Sequence, residues 1–147
     1  HHTHYTQPAL FTLETALYRL TQTFGIQPDY LTGHSLGEIT AAHTAGILTL
    51  PDAVTLVAHR ARLMQQTPTG AMHAINATEE QVRHALQGHE HHTAIAAING
   101  PTHTVISGDT QTTNTIAQHF AAQGHKTRRL NTHHAFHSPH TVSYTHL

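Results

Sequence analysis

Apolar residues recur every three or four positions at Leu10, Leu13, Leu17, Leu20 and Phe24, a spacing that predicts a helix over residues 8–24 with those side chains on one face. Thr6 is placed to cap that helix, Pro8 suits its first turn, and Gly25 ends it. A short strand is predicted over residues 30–32, then the tight run Gly33-His34-Ser35-Leu36-Gly37, then a helix over residues 38–45. Pro51 opens a third helix in which Val54, Val57, Ala61 and Met64 share a face, with Arg60 in its later half.

From Ala71 the pattern shifts to short elements. Residues 71–75 read as an apolar strand, and Thr78-Glu79-Glu80-Gln81 has the spacing of a capping box that starts a helix. A strand over residues 93–98, an Asn99-Gly100-Pro101 turn and a strand over residues 104–107 follow. A helix over residues 109–123 is closed by Gly124, and a last strand covers residues 126–130. The order strand, helix, strand, strand, helix, strand predicts a ferredoxin-like (βαββαβ) subdomain, inserted between the Ser35 region and the His-rich segment after Asn131.

The chain has 147 residues, the length of one ordinary domain. Seven Lys+Arg against eight Asp+Glu leave no broad basic field, so neither nucleic acid nor a membrane surface is expected as a partner. Without cysteine there is no disulfide or thiolate chemistry, which is compatible with a reducing cytoplasm. Apolar stretches are far shorter than the roughly 20 residues that cross a bilayer, and a soluble, cytoplasmic protein is expected. Nineteen histidines invite a metal-binding reading. The clusters at His1, His2 and His4, at His89, His91 and His92, and at His133, His134 and His137 lack the spacing of a HExxH helix or a zinc motif. A compositional bias toward surface His and Thr is the simpler account, and no metal is expected.

Gly-x-Ser-x-Gly between a strand and a helix forces its serine into a sharp turn, with small neighbours allowing close approach. Ser35 would then present its hydroxyl to a cleft, and the helix N-terminus, including the backbone N–H of Leu36, would face an oxyanion formed on an attacked acyl carbonyl. The plainer alternative makes Ser35 a helix cap. A serine hydroxyl needs a base near neutral pH, and histidine is the natural one. Alternation at the elbow turns His34 away, and His133, His134, His137 and His140 all remain as candidates on the residues alone.

Gly33-His34-Ser35-Leu36-Gly37-Glu38 resembles the active-site motif of the malonyl-CoA:acyl-carrier-protein transacylase family, and in particular the acyltransferase domains of modular type I polyketide synthases. Tyr5-Thr6-Gln7-Pro8-Ala9-Leu10-Phe11 resembles the helix opening of those domains. Arg60-Ala61-Arg62-Leu63-Met64-Gln65 resembles their arginine motif, and His134-Ala135-Phe136-His137-Ser138-Pro139 completes the set, in family order. The resemblance implies an α/β fold: a partial α/β-hydrolase-like large subdomain over residues 1–70 and 132–141, carrying the ferredoxin-like small subdomain at 71–131. It makes His137 the base for Ser35 and Arg60 the partner of the substrate's carboxylate, a role that suits a planar guanidinium fork. Gln7, His34 and Phe136 become pocket residues, whereas Arg62 should point elsewhere and Asn99 is structural.

The resemblance further implies malonyl-CoA as substrate, with no bound cofactor, and the phosphopantetheine thiol of an acyl carrier protein as acceptor. The carrier protein and an adjacent ketosynthase domain are the implied partners. His-Ala-Phe-His, Leu36 after the serine, and the Tyr-Thr-Gln-Pro opening all resemble the malonyl type, and Phe136 would crowd an α-methyl branch. The Gly-Gln-Gly turn that supplies the family's second oxyanion donor does not occur before Tyr5, so the chain is expected to be a fragment that is inactive alone. Residues 142–147 read like a translated library adapter and are expected to be an artefact. Two rivals stand beside this reading: a serine esterase of α/β-hydrolase type, for which Glu90 or Asp109 would be the acid, and a His-rich binding module.

Overall fold

The computed structural model describes residues 2–141. The adapter-like residues 142–147 and His1 lie outside them. The chain divides into two units, His1–Gln65 and Gln66–Leu147.

The first unit is helical, with α1 at Thr3–Thr23, α2 at Leu36–Thr44 and α3 at Leu50–Gln65. α1 begins ahead of the expected start. Its N-cap is His2, Thr6 lies inside the helix with its hydroxyl donating back to the His2 carbonyl at 3.2 Å, and Pro8 is internal. The end is as expected: Gly25 takes φ 78°, and its N–H and that of Ile26 close onto the carbonyls of Gln22 and Thr21.

The anticipated apolar face of α1 is not the buried one. Thr3, Gln7, Phe11 and Thr15 are buried, while Leu10, Leu13, Leu17, Leu20 and Phe24 are exposed, from 42 % at Leu10 to 71 % at Phe24. Phe11 sets this orientation, because it packs with Leu36, Ala53 and Val57 in the core of this unit. Thr15, one turn on, and Thr3, two turns back, are small buried neighbours on the same face. α3 shows the same offset: Ala53, Val57, Ala61 and Met64 are buried, whereas Val54, about 100° around the helix from Ala53, is exposed.

No strand forms over residues 30–32, and Tyr30 and Leu31 are exposed. A strand needs a ladder partner, and the described residues of the first unit form only helices.

The second unit is α/β. It runs β1 at Ala71–Ile75, α4 at Glu79–Ala85, β2 at Thr93–Gly100, β3 at His103–Gly108, α5 at Thr110–Ala122 and β4 at Thr127–Arg129, with a 3-10 turn at Pro139–Thr141. The sheet order is β2-β3-β1-β4, and every neighbouring pair is antiparallel. β2 runs through Asn99 to Gly100, which pairs with His103, so the expected turn moves to Pro101 and Thr102; register shifts between Ile95 and Ala97 and between Ile98 and Gly100 absorb the extra length.

Local signals account for the helices of this unit. Thr78 and Gln81 form the reciprocal capping box at α4, and the Asp109 carboxylate accepts from the N–H groups of Gln111 and Thr112 at α5. Ile75, Val82, Leu86, Ile106, Ile116 and Phe120 then close one core between the sheet and both helices. Each such side chain contributes about 1.5–3 kcal/mol when fully buried.

Beside this sheet the chain crosses itself. Thr69 and His134 form an antiparallel bridge, and the Gly70 N–H donates to the His133 carbonyl at 3.0 Å. Gly70 is required there, because an added Cβ would collide with the Ala135 side chain and the Gly108 carbonyl. Residues 66–70 and 132–141, both expected with the larger subdomain, fall in the second unit by contact.

Candidate active site

Ser35 sits at the N-cap of α2 with φ 57° and ψ −113°, and it is one of two non-glycine residues of positive φ among the described residues. Three contacts hold this turn. The Gly37 N–H donates to the His34 carbonyl at 3.0 Å, the Glu38 N–H donates to the Ser35 carbonyl at 3.2 Å, and the Glu38 carboxylate accepts from the Gly33 N–H at 3.1 Å. Any side chain on Gly33 would strike the backbone of Gly37 and Glu38. The strained geometry expected of an elbow is therefore present without its preceding strand. Ser35 makes no side-chain cap bond to α2, which sets aside its reading as a simple cap. Leu36 is buried and opens α2, so its N–H lies among the helix-terminal donors that have no intrahelical acceptor.

The Ser35 hydroxyl is instead engaged by α3. Arg60 Nη2 donates to Ser35 Oγ at 2.8 Å, and Arg60 Nη1 donates to the Gln7 side-chain carbonyl. Gln7 is buried on α1, and its amide donates to Thr3 Oγ1 at 2.8 Å and to Met64 Sδ at 3.3 Å. These bonds fix which end of the amide faces the guanidinium. Arg60 is half-buried and spans two acceptors with its fork, whereas Arg62 lies at the surface beside His59 Nδ1 at 3.2 Å. Three helices thus bring Gln7, Ser35, Leu36 and Arg60 together. His34 is exposed and lines a groove with Glu14, Tyr18 and Thr40.

His137 and Phe136 belong to the second unit. His137 is the other positive-φ residue, at 56°, and its side chain is exposed between the half-buried Phe136 and the buried Ser138. The Phe136 ring stacks on that of His134 with centroids 5.9 Å apart. His134 is buried, and its Nδ1 and Thr67 Oγ1 are hydrogen-bonded at 3.2 Å. Thr3, Met64, Thr67 and Ser138 were given no role at the site by sequence, although Met64 and Ser138 lie within the motifs. Thr3 and Met64 each stand four positions from a marked residue, a helical spacing that offers a signal. Thr67 depends on long-range pairing, and Ser138 on the conformation of an irregular loop, so neither offers a periodic signal.

Burial lowers the pKa of His73, opposed by its hydrogen bond to Asn114 and reinforced by Arg129. The Thr112 backbone N–H leads the contacts that lower Asp109. That carboxylate is spent on capping α5, which removes it as the acid of an esterase triad. Glu90 lies on the surface beside Arg83 and β2, in the groove they line. Among the described residues, no group of three or more His, Asp or Glu could hold a metal ion, and no helix is long and apolar enough to cross a membrane.

A family model described as an acyl transferase domain matches residues 1–147. Over 138 residues the chain is 51 % identical to polyketide synthase GfsA of Streptomyces halstedii, covering 93 % of this chain and 2 % of that protein. The solved acyltransferase domain from the second module of the salinomycin polyketide synthase superposes with a TM-score of 0.93 at 48 % identity, over 97 % of this chain and 34 % of that one. The malonyl CoA-acyl carrier protein transacylase of Burkholderia pseudomallei gives a TM-score of 0.89 at 39 % identity, over 99 % of this chain and 51 % of that one. The chain thus spans about a third of the solved synthase domain and a small share of the whole synthase.

Proposed function

Since the chain belongs to the acyl transferase domain family, we propose that it carries the nucleophile-bearing part of a domain that moves malonyl groups from malonyl-CoA to an acyl carrier protein. The observation that carries this reading is the Arg60 fork, held by Gln7 and donating to Ser35 Oγ at 2.8 Å. It fixes a permanent cation one hydrogen bond from a strained serine, which suits an acyl thioester ending in a carboxylate.

In this reading His137 takes the Ser35 proton as Ser35 Oγ attacks the thioester carbonyl. The Leu36 N–H stabilises the tetrahedral oxyanion, and coenzyme A leaves as the thiol with the proton returned by His137. The phosphopantetheine thiol of the carrier protein then attacks malonyl-Ser35 by the same steps in reverse. Gln7 orients Arg60, His34 lies at the rim of the site, and Phe136 disfavours an α-methyl branch, a discrimination worth roughly 1–3 kcal/mol.

Within the parent protein, residues 71–131 form the ferredoxin-like small subdomain, inserted into an α/β-hydrolase-like large subdomain that takes residues 1–70 and 132–141. The βαββαβ order and the Thr69–His134 bridge, where the two connecting segments meet, support that division. Relatives that are polyketide synthases support a carrier protein and an adjacent ketosynthase as partners, in the cytoplasm where coenzyme A thioesters are made.

The test is loading of the complete domain with malonyl-CoA, read by mass on the Ser35 peptide. One malonyl adduct is expected, absent in Ser35→Ala. An adduct that persists in that variant would remove Ser35 from the chemistry.

A further inference from the structure

The His137 backbone sits in a region that costs a non-glycine residue on the order of 1–3 kcal/mol and persists only where its surroundings over-determine it. His137 exposes its side chain, so burial of its own imidazole does not hold it there. Restraints on its backbone lie on both flanks. On the N-terminal side, His134 and Ala135 are buried; His134 bridges Thr69 in the backbone and Thr67 Oγ1 through its ring, at 3.2 Å. Thr132 Oγ1 braces the same residue, accepting from the His134 N–H at 3.2 Å and donating to its carbonyl at 3.1 Å. Ala135 is fully buried against Gly70, where a Cβ would not fit.

On the C-terminal side, Ser138 is buried and its hydroxyl donates back to the Ala135 carbonyl at 2.6 Å while accepting from the His140 N–H at 3.2 Å. Thr141 fastens the next turn, its hydroxyl donating to the Ser138 carbonyl at 2.8 Å. Phe136 and His137 are therefore the short span between two anchored points, and the Ser138 hydroxyl closes that span.

We propose that Thr67 and Ser138 are positioning residues: through His134 and Ala135 they hold the His137 backbone left-handed and so aim its imidazole. The inference rests on the reading of His137 as the base. Losing either hydroxyl frees the loop to relax toward ordinary backbone, and a displacement of about 1 Å in a reacting group costs on the order of 100-fold in rate.

The experiment uses the parent polypeptide at its natural length and measures the single-turnover rate of malonyl transfer to Ser35. Thr67→Val and Ser138→Ala should each slow it by roughly 10- to 100-fold, with KM for malonyl-CoA held within about twofold. Thr67→Ser and Ser138→Thr, which keep the hydroxyl, should recover most of the rate, separating its loss from a failure to fold. In a His137→Ala background the same two substitutions should have no further effect, since they act only through the imidazole. Equal losses with and without His137 would show a general structural role and overturn the proposal, as would unchanged rates in Thr67→Val and Ser138→Ala. If His137→Ala alone loads at the parent rate, the base assignment fails first, and the positioning role falls with it.

Discussion

Replacing Arg60 by alanine separates recognition of a carboxylate from general damage to the nucleophile. In the structure the guanidinium gives one N–H to the Gln7 carbonyl and another to Ser35 Oγ at 2.8 Å, both neutral acceptors. A malonyl carboxylate would exchange these cation-to-neutral bonds for a bidentate pair charged on both sides, in which each bond contributes about 1.5–3 kcal/mol. The net loss on truncation is then about 3 kcal/mol, on the order of 100-fold in kcat/KM for malonyl-CoA. An acetyl group offers no carboxylate. Its transfer should suffer only from the lost contact to Ser35, about 1 kcal/mol or roughly fivefold.

The assay is the loading rate of the complete domain with each thioester, and the malonyl-to-acetyl preference should fall by at least about tenfold. Arg60→Lys should lie between, because a point-like ammonium cannot span Gln7 and Ser35 as a fork does. Equal falls for malonyl and acetyl would refute the carboxylate role and leave Arg60 as a structural brace for the elbow.

Two further outcomes follow from the backbone and from burial. Gly33→Ala places a Cβ against the backbone of Gly37 and Glu38, so thermal unfolding should show a loss of several kcal/mol, of the kind that overpacking against rigid neighbours causes, together with lost loading. An elbow that keeps its stability would contradict the described packing. His73 is held neutral by burial, so its folded pKa lies below 6.5 while the unfolded chain titrates near 6.5. Its contribution to stability is complete above that pH and declines as the pH falls from there toward the folded value, because the unfolded state binds the proton first. Denaturation from pH 7.5 down to 5.5 should therefore show the parent losing stability faster than His73→Gln, and parallel curves would exclude the effect.

Where two neighbouring elements were both within reach of local signals, the sequence was legible. β1 has the bounds the apolar run gave, the Thr78–Gln81 box caps α4, and Asp109 caps α5. Turn and cap chemistry depends on a few adjacent residues, so it can be read without knowing what packs above it. The α1 face could not. Leucine spacing reports that a helix has an apolar side, but the packing of Phe11 onto Leu36, Ala53 and Val57 decides which side is buried here. The missing strand at residues 30–32 fails for a related reason, since a strand is a property of a pair. At the candidate site, Ser35 and Arg60 came from motifs, and the structure joined them through Gln7. The bonding roles of Thr67 and Ser138 were invisible, because their partners lie across the chain crossing or within a loop whose conformation no periodicity encodes.

The Thr69–His134 bridge has a bearing on how this fold can be recombined. Residues facing each other across an antiparallel pair stand about 4.5–5.5 Å apart, so the chain leaves and returns through nearly one point, and Gly70 and His133 mark natural seams on either side. The bridge sets the spacing of the two ends that a segment grafted between those seams must rejoin. A chimera cut at Gly70 and His133 keeps the bridge, the Gly70 fit against Ala135 and the brace on His134 together, whereas cuts drawn at the ends of β1 and β4 would divide them.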